Sequence, residues 1–146
     1  MDEKSDTASP NTGIFRAMTE ENGMPKLGVS ATTLGVRALK DIVTDSSGLV
    51  HRPLFLPGSP NGLSCAPTIQ SLPRFALPLA WGGINKATSV WAIEDHELGP
   101  DLIAAEDGYP GARRHISIGP ARTMLYHEYV KAIETTQTKW RKVVKP

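Results

Sequence analysis

The chain of 146 residues contains a single cysteine, Cys65, which excludes an internal disulfide and any zinc site built from several thiolates. It also lacks an excess of charge: 16 basic residues stand against 15 acidic ones, for a net charge of +1. Binders of the phosphate backbone carry a strongly basic face or total, so the composition argues against a nucleic-acid partner. No run approaches the roughly 18 consecutive apolar residues of a membrane span, and mean hydropathy is −0.23. The first residues, MDEKSDTASPNT, bring acids where a secretory signal brings positive charge, and no apolar stretch follows them. The expectation is a protein of a reducing, cytoplasmic compartment with neither signal peptide nor transmembrane segment. Three motifs are missing as well: the glycine-rich phosphate loop ending in lysine, the strand–GxGxxG–helix fingerprint, and HExxH.

What the chain does have is glycine (13) and proline (12), together above the roughly 12 % of an average protein. The excess is local. Pro53, Pro57, Pro60, Pro67, Pro73 and Pro78, with Gly58, Gly62, Gly82 and Gly83, fall within 31 residues and forbid a regular helix there, because each proline removes a backbone donor and fixes its own φ. Residues 1–12 read as a disordered leader and residues 13–146 as one domain, a size that supports a real core.

One stretch has helical period. Tyr126, Tyr129, Val130, Ile133, Gln137 and Trp140 recur at the spacing of a single helix face. A helix starting at or just after Pro120 and running to about Trp140 is expected, with Lys139, Arg141 and Lys142 near its C-terminal end. Strands are expected over residues 13–18, 89–93 and 114–118, the last alternating His115, Ile116, Ser117, Ile118. Residues 34–43 fit helix or strand equally. The result is an α+β domain: a mixed sheet core, proline-rich connections and one long C-terminal helix.

Candidate chemistry is sparse. Glu94, Asp95, His96 and Glu97 read as a solvated acidic loop, His127 and Glu128 as helix surface, and Cys65 as a small buried hydrophobe. Ser64 emerges from the turn Asn61-Gly62-Leu63, and His115 opens a strand end between arginines and the tight Gly119-Pro120. Taken alone, each reads as structural; for Ser64, a post-turn hydroxyl often satisfies nearby backbone.

A set of ordered features alters that weighting. They are Trp91-Ala92-Ile93-Glu94-Asp95, Pro100-Asp101-Leu102, Asp107-Gly108-Tyr109, His115-Ile116-Ser117-Ile118, Pro120-Ala121 with Met124, and Trp140. Upstream come Phe15-Arg16-Ala17, Val36-Arg37-Ala38 with Asp41-Ile42-Val43, Gly48-Leu49, and the turn Asn61–Ser64. In this order they resemble the type VI secretion cytotoxin family with an ADP-ribosyltransferase-like fold, over roughly residues 13 to 143. One departure is plain: Leu63 stands where the family has threonine before the serine; the Glu-X-Glu pair of classical ADP-ribosyltransferases is also missing, a gap the family itself shares. The resemblance implies a toxin that uses NAD, an ADP-ribosyltransferase or NAD-cleaving enzyme acting on a macromolecular target and restrained by a small immunity protein. It implies Arg16 and Arg37 for the pyrophosphate, whose geometry suits a guanidinium fork. Ser64 would serve the ribose or nicotinamide side, and His115 would position the ribose or act as acid/base. Asp107 is read as a turn residue, with orientation of His115 as the alternative. The competing readings are a catalytically silent binding protein on the same fold, and an RNA 2′-phosphotransferase-like enzyme using a local basic patch at Arg113-Arg114.

Overall fold

A computed structural model describes residues 7–8, 13–108 and 114–145. Among the described residues, ten strands and one α-helix form a mixed α+β fold. The strands are β1 (Thr7–Ala8), β2 (Ile14–Glu21), β3 (Met24–Pro25), β4 (Leu49–Val50), β5 (Leu63–Cys65), β6 (Thr88–Ile93), β7 (Leu102–Glu106), β8 (Ile116–Pro120), β9 (Met124–Leu125) and β10 (Arg141–Val143). They assemble into a five-stranded sheet, β1-β10-β6-β2-β3, a three-stranded sheet, β5-β8-β7, and the pair β4-β9. Only β1 and β10 run parallel among the named strand pairs. Within the leader, Thr7–Ala8 is the part that pairs, against Lys142–Val143; the rest of residues 1–12 lies outside the described residues.

The central pair β2 and β6 separates two cores. Successive side chains on a strand face opposite ways, and here both faces are buried. Ile14 and Met18 of β2 join Trp91 and Ile93 of β6 in the larger cluster. Phe15, Ala17, Val90 and Ala92 pack on the other side with Ile69, Leu72 and Leu77 from the proline-rich segment. That segment contains two three-residue 3-10 turns, Ile69–Ser71 and Leu79–Trp81, and no α-helix. A single 3-10 turn needs too few consecutive donors for the neighbouring prolines to forbid it.

The helix differs from expectation at its start. Pro120 ends β8, opposite Leu102, a strand-terminal position where the missing donor costs little. Met124–Leu125 then pairs with β4, and α1 runs Tyr126–Thr135 before tightening into a 3-10 turn, Thr136–Lys139. Glu128 Oε1 accepts the Leu125 N–H at 2.9 Å, and the helix starts at Tyr126, six residues beyond the proline. Arg141 and Lys142 are not helix-end cations but strand residues of β10. There Arg141 donates to Glu97 at 2.9 and 2.5 Å, which corrects the reading of Glu97 as solvated: β10 returns beside β6 and covers it. Asp95, His96, His127 and Glu128 are exposed. Residues 34–43 form neither helix nor strand, being turns held by isolated bridges such as Ala38–Ile42.

The two larger sheets meet where Phe15 and Ala66 exchange backbone hydrogen bonds of 2.8 and 2.9 Å. The buried Tyr129 hydroxyl closes the other side of that joint. It donates to Ile118 O at 2.5 Å and accepts the Leu63 N–H at 3.1 Å, so the helix holds β5 against β8.

Candidate functional site

Strand register builds the site. In β8 the alternation puts Ile116 and Ile118 into the larger core and His115 and Ser117 on the opposite face. Ser64 of β5 lies opposite Ser117. Glu106 of β7 lies opposite Ile116, and the ladder continues one rung further with Asp107 N–H donating to His115 O at 3.0 Å. One face of the small sheet therefore carries Ser64, Ser117, His115 and Asp107 together, at the edge where β7 and β8 run out.

Those side chains are bonded in sequence. The Asp107 carboxylate is buried and accepts from His115 Nδ1 at 2.6 Å, Ser117 Oγ at 2.6 Å and Asn61 Nδ2 at 2.7 Å. Burial pushes this carboxyl up, but the three donors outweigh it and hold the group below the ordinary aspartate value, ionised at neutral pH. A carboxylate only accepts, so His115 Nδ1 carries a proton, and in the neutral ring Nε2 is left as an acceptor. The Ser64 hydroxyl donates to that Nε2 at 2.5 Å. Asp107 thus orients His115, and the turn reading is corrected. The cause is the register of β7 and β8, which sets the two residues side by side.

Ser64 and His115 line a pocket of about 480 Å³ together with Arg37, Lys40, Asn61 and Arg114. With Arg37 they also line an adjoining space of about 230 Å³, which reaches Arg16. The structure thus brings all four sequence-derived residues to one region, in two different ways. Arg37 is part-exposed; its Nε and Nη2 donate to Asp41 at 3.1 and 3.2 Å, leaving Nη1 uncommitted among the described residues. Arg16 is buried. Its fork donates to the carbonyls of Thr33 (3.2 and 2.7 Å), Ser30 (3.1 Å) and Ser64 (2.6 Å). Burial lowers its pKa from the ordinary value, which starts so high that the group stays charged. Cys65 is buried and its thiol is pushed up to about 12, chiefly by that burial; it remains a protonated core residue.

Lys40 is absent from the sequence reading, while Asn61 and Ser117 enter it only as turn and strand residues and Arg114 only as part of a basic patch. The parity of β8 could have flagged Ser117, two residues from His115. Lys40 carries no local signal, Arg114 carries only that of an adjacent basic pair, and Tyr109 and Arg113 lie outside the described residues. Among the described residues no three metal-ligating side chains cluster, and no helix is long and apolar enough to cross a membrane.

Neither a curated protein nor a solved structure matches the chain. One protein family does. Its sequence profile, described as the Tse2 ADP-ribosyltransferase toxin, matches residues 12–142, a span that includes the sheet bearing Ser64, Asp107 and His115, the arginines beneath and beside it, and the helix that clamps it. The chain belongs to the Tse2 ADP-ribosyltransferase toxin family.

Proposed function

We propose that the protein is an NAD-consuming toxin that transfers or releases the ADP-ribosyl group of NAD at the pocket over the polar face of β5 and β8. Family membership supports the toxin and the ADP-ribosyltransferase-like activity; the observation that carries the site is the Ser64–His115 hydrogen bond of 2.5 Å in the pocket wall. NAD would supply the ADP-ribosyl group, whose glycosidic bond breaks with separation of charge. The donor set fits such a substrate: a pocket of about 480 Å³ lies in the range of small-molecule sites, Arg37 Nη1 and Lys40 offer positive charge for a pyrophosphate, and Ser64 offers a hydroxyl for a ribose. His115, held as the Nδ1–H tautomer by Asp107, keeps Nε2 as the group that holds or takes a proton at the Ser64 hydroxyl. Arg16 is a positioning residue, fixing the Ser64 carbonyl from below.

On this reading the toxin acts in a cytoplasm, on a macromolecule, as a type VI effector restrained by a small immunity protein. The test is direct. Purified protein incubated with NAD should release nicotinamide, and NAD should raise its melting temperature. Expression of the wild type should arrest growth, and Ser64→Ala or His115→Ala should relieve the arrest in soluble protein with an unchanged melt. Growth arrest that survives both substitutions, with no nicotinamide released by the wild type, would leave the contact-only mechanism.

A further inference from the structure

The order of bonding from Asp107 through His115 to Ser64 has a direction, and that direction describes a nucleophile. A buried, triply bonded carboxylate fixes Nδ1 as the protonated nitrogen. Nε2 lies 2.5 Å from Ser64 Oγ and, in the neutral ring, is the acceptor of that hydroxyl. A serine hydroxyl hydrogen-bonded to a carboxylate-oriented imidazole is the arrangement of acyl-transfer hydrolases, which is recognised by geometry and roles rather than by chain order or fold. Ser64 is part-exposed and His115 side-chain exposure is 38 %, so an electrophile in the pocket reaches both. We propose that the same pocket has a second activity, hydrolysis of a small carboxylic ester through an acyl-Ser64 intermediate.

The step balances. Ser64 Oγ bonds to the carbonyl carbon as its proton passes to His115 Nε2. Collapse of the tetrahedral species breaks the carbon–oxygen bond to the alcohol, which leaves with that proton. A water then gives a proton to Nε2 and attacks the acyl carbon; the acid departs and Ser64 regains the proton. Arg37 and Lys40, lining the same pocket, supply positive charge as the carbonyl oxygen becomes negative. Asp107 acts through His115 and is a positioning residue.

The chain carries its own comparison. His51 accepts or donates between Asp45 Oδ2 at 2.7 Å and Thr123 Oγ1 at 2.9 Å, the same three functional groups in the same order. There, however, the carboxylate is 37 % exposed against 3 % for Asp107, so water competes for the bond that would orient the ring. The difference predicts reaction at Ser64 and none at Thr123.

The experiment uses p-nitrophenyl acetate with the full chain and no NAD, so its outcome is separate from nicotinamide release. We expect a burst of nitrophenolate near one equivalent, then steady turnover, with one acetyl group located on Ser64 by mass spectrometry. Ser64→Ala and His115→Ala should fall to the rate of buffer, and His51→Ala should match wild type. Asp107→Asn should lose at least about a hundredfold near neutral pH and recover part of the rate as hydroxide rises, the signature of a mis-set tautomer. A fluorophosphonate should inactivate the wild type by modifying Ser64, which needs no variant to fold. Wild-type turnover no faster than Ser64→Ala, or acetyl and phosphonyl groups found elsewhere, would overturn the proposal.

Discussion

Arg16→Lys separates two roles for a residue that sequence alone assigns to a pyrophosphate. In the structure its guanidinium reaches three carbonyls on two segments: Thr33 and Ser30 of one turn, and Ser64 of β5. A lysine at the same place keeps the buried charge, but its compact ammonium on a flexible stem cannot span the fork. It satisfies one of the three stations and strands the other two. Charge-assisted hydrogen bonds contribute about 1.5–3 kcal/mol each, and a buried acceptor left bare costs a similar amount. Two lost stations therefore cost about 3–4 kcal/mol, after some relief from the lysine's freedom to deprotonate. For a chain of this length each kcal/mol moves the melting temperature by roughly 3–4 °C, giving a drop of about 10–14 °C. The assay is a thermal melt followed by circular dichroism, without NAD. A ligand-binding arginine in a solvated pocket would tolerate lysine with little change in the melt and would weaken only the response to NAD. A melt within about 3 °C of wild type would therefore refute the carbonyl-clamp reading of Arg16.

Tyr129→Phe removes the hydroxyl that bridges Ile118 O and Leu63 N–H; it should cost about 1–3 kcal/mol, read as a lower urea midpoint with an unchanged slope. Gly62→Ala should be worse, because φ is +134° and a Cβ there would sit 2.2 Å from Ile118 O; strained backbone plus a clash against the adjacent strand should leave mostly insoluble protein, and a normal yield with a normal melt would contradict the packing. Asp107 has a folded-state pKa held below its unfolded value of about 3.9, so its contribution to stability is present above that unfolded value and is lost as pH falls through the folded one. Melting temperature in wild type should therefore decline below about pH 4 more steeply than in Asp107→Asn, as measured across a series of acidic buffers.

The elements with strong periodicity were legible. The apolar stripe from Tyr126 to Trp140 marks the helix, and alternation at His115–Ile118 marks β8 with its inward and outward faces. The helix start was not legible from Pro120, because proline suits both a first helical turn and a strand end; only the pairing of Met124–Leu125 with β4 decides between them. The short turns of residues 34–43 depend on long-range bridges such as Ile42 to Asn61, for which no local propensity exists. Glu97 shows the same limit: its partner Arg141 lies 44 residues away, so an acidic cluster that looks solvated in one dimension is covered in three.

Asp107 is the most instructive residue, since the choice between turn cap and orienting carboxylate turned on one integer. Residues paired across β7 and β8 follow a fixed register, Leu102 with Pro120 through Glu106 with Ile116, which extends to Asp107 beside His115. A slip of one residue would send either side chain to the core face. That slip is prevented on the other side of the sheet, where Leu102, Ile116 and Ile118 are buried and where the Tyr129 hydroxyl fastens β8 to β5. The polar face of the site is therefore specified by the apolar face behind it. Loosening the core at Ile118 or Tyr129 should misplace His115 without touching it. Conversely, Ser64→Ala removes one hydroxyl from a face the core does not depend on, so it should leave the fold intact while abolishing the chemistry.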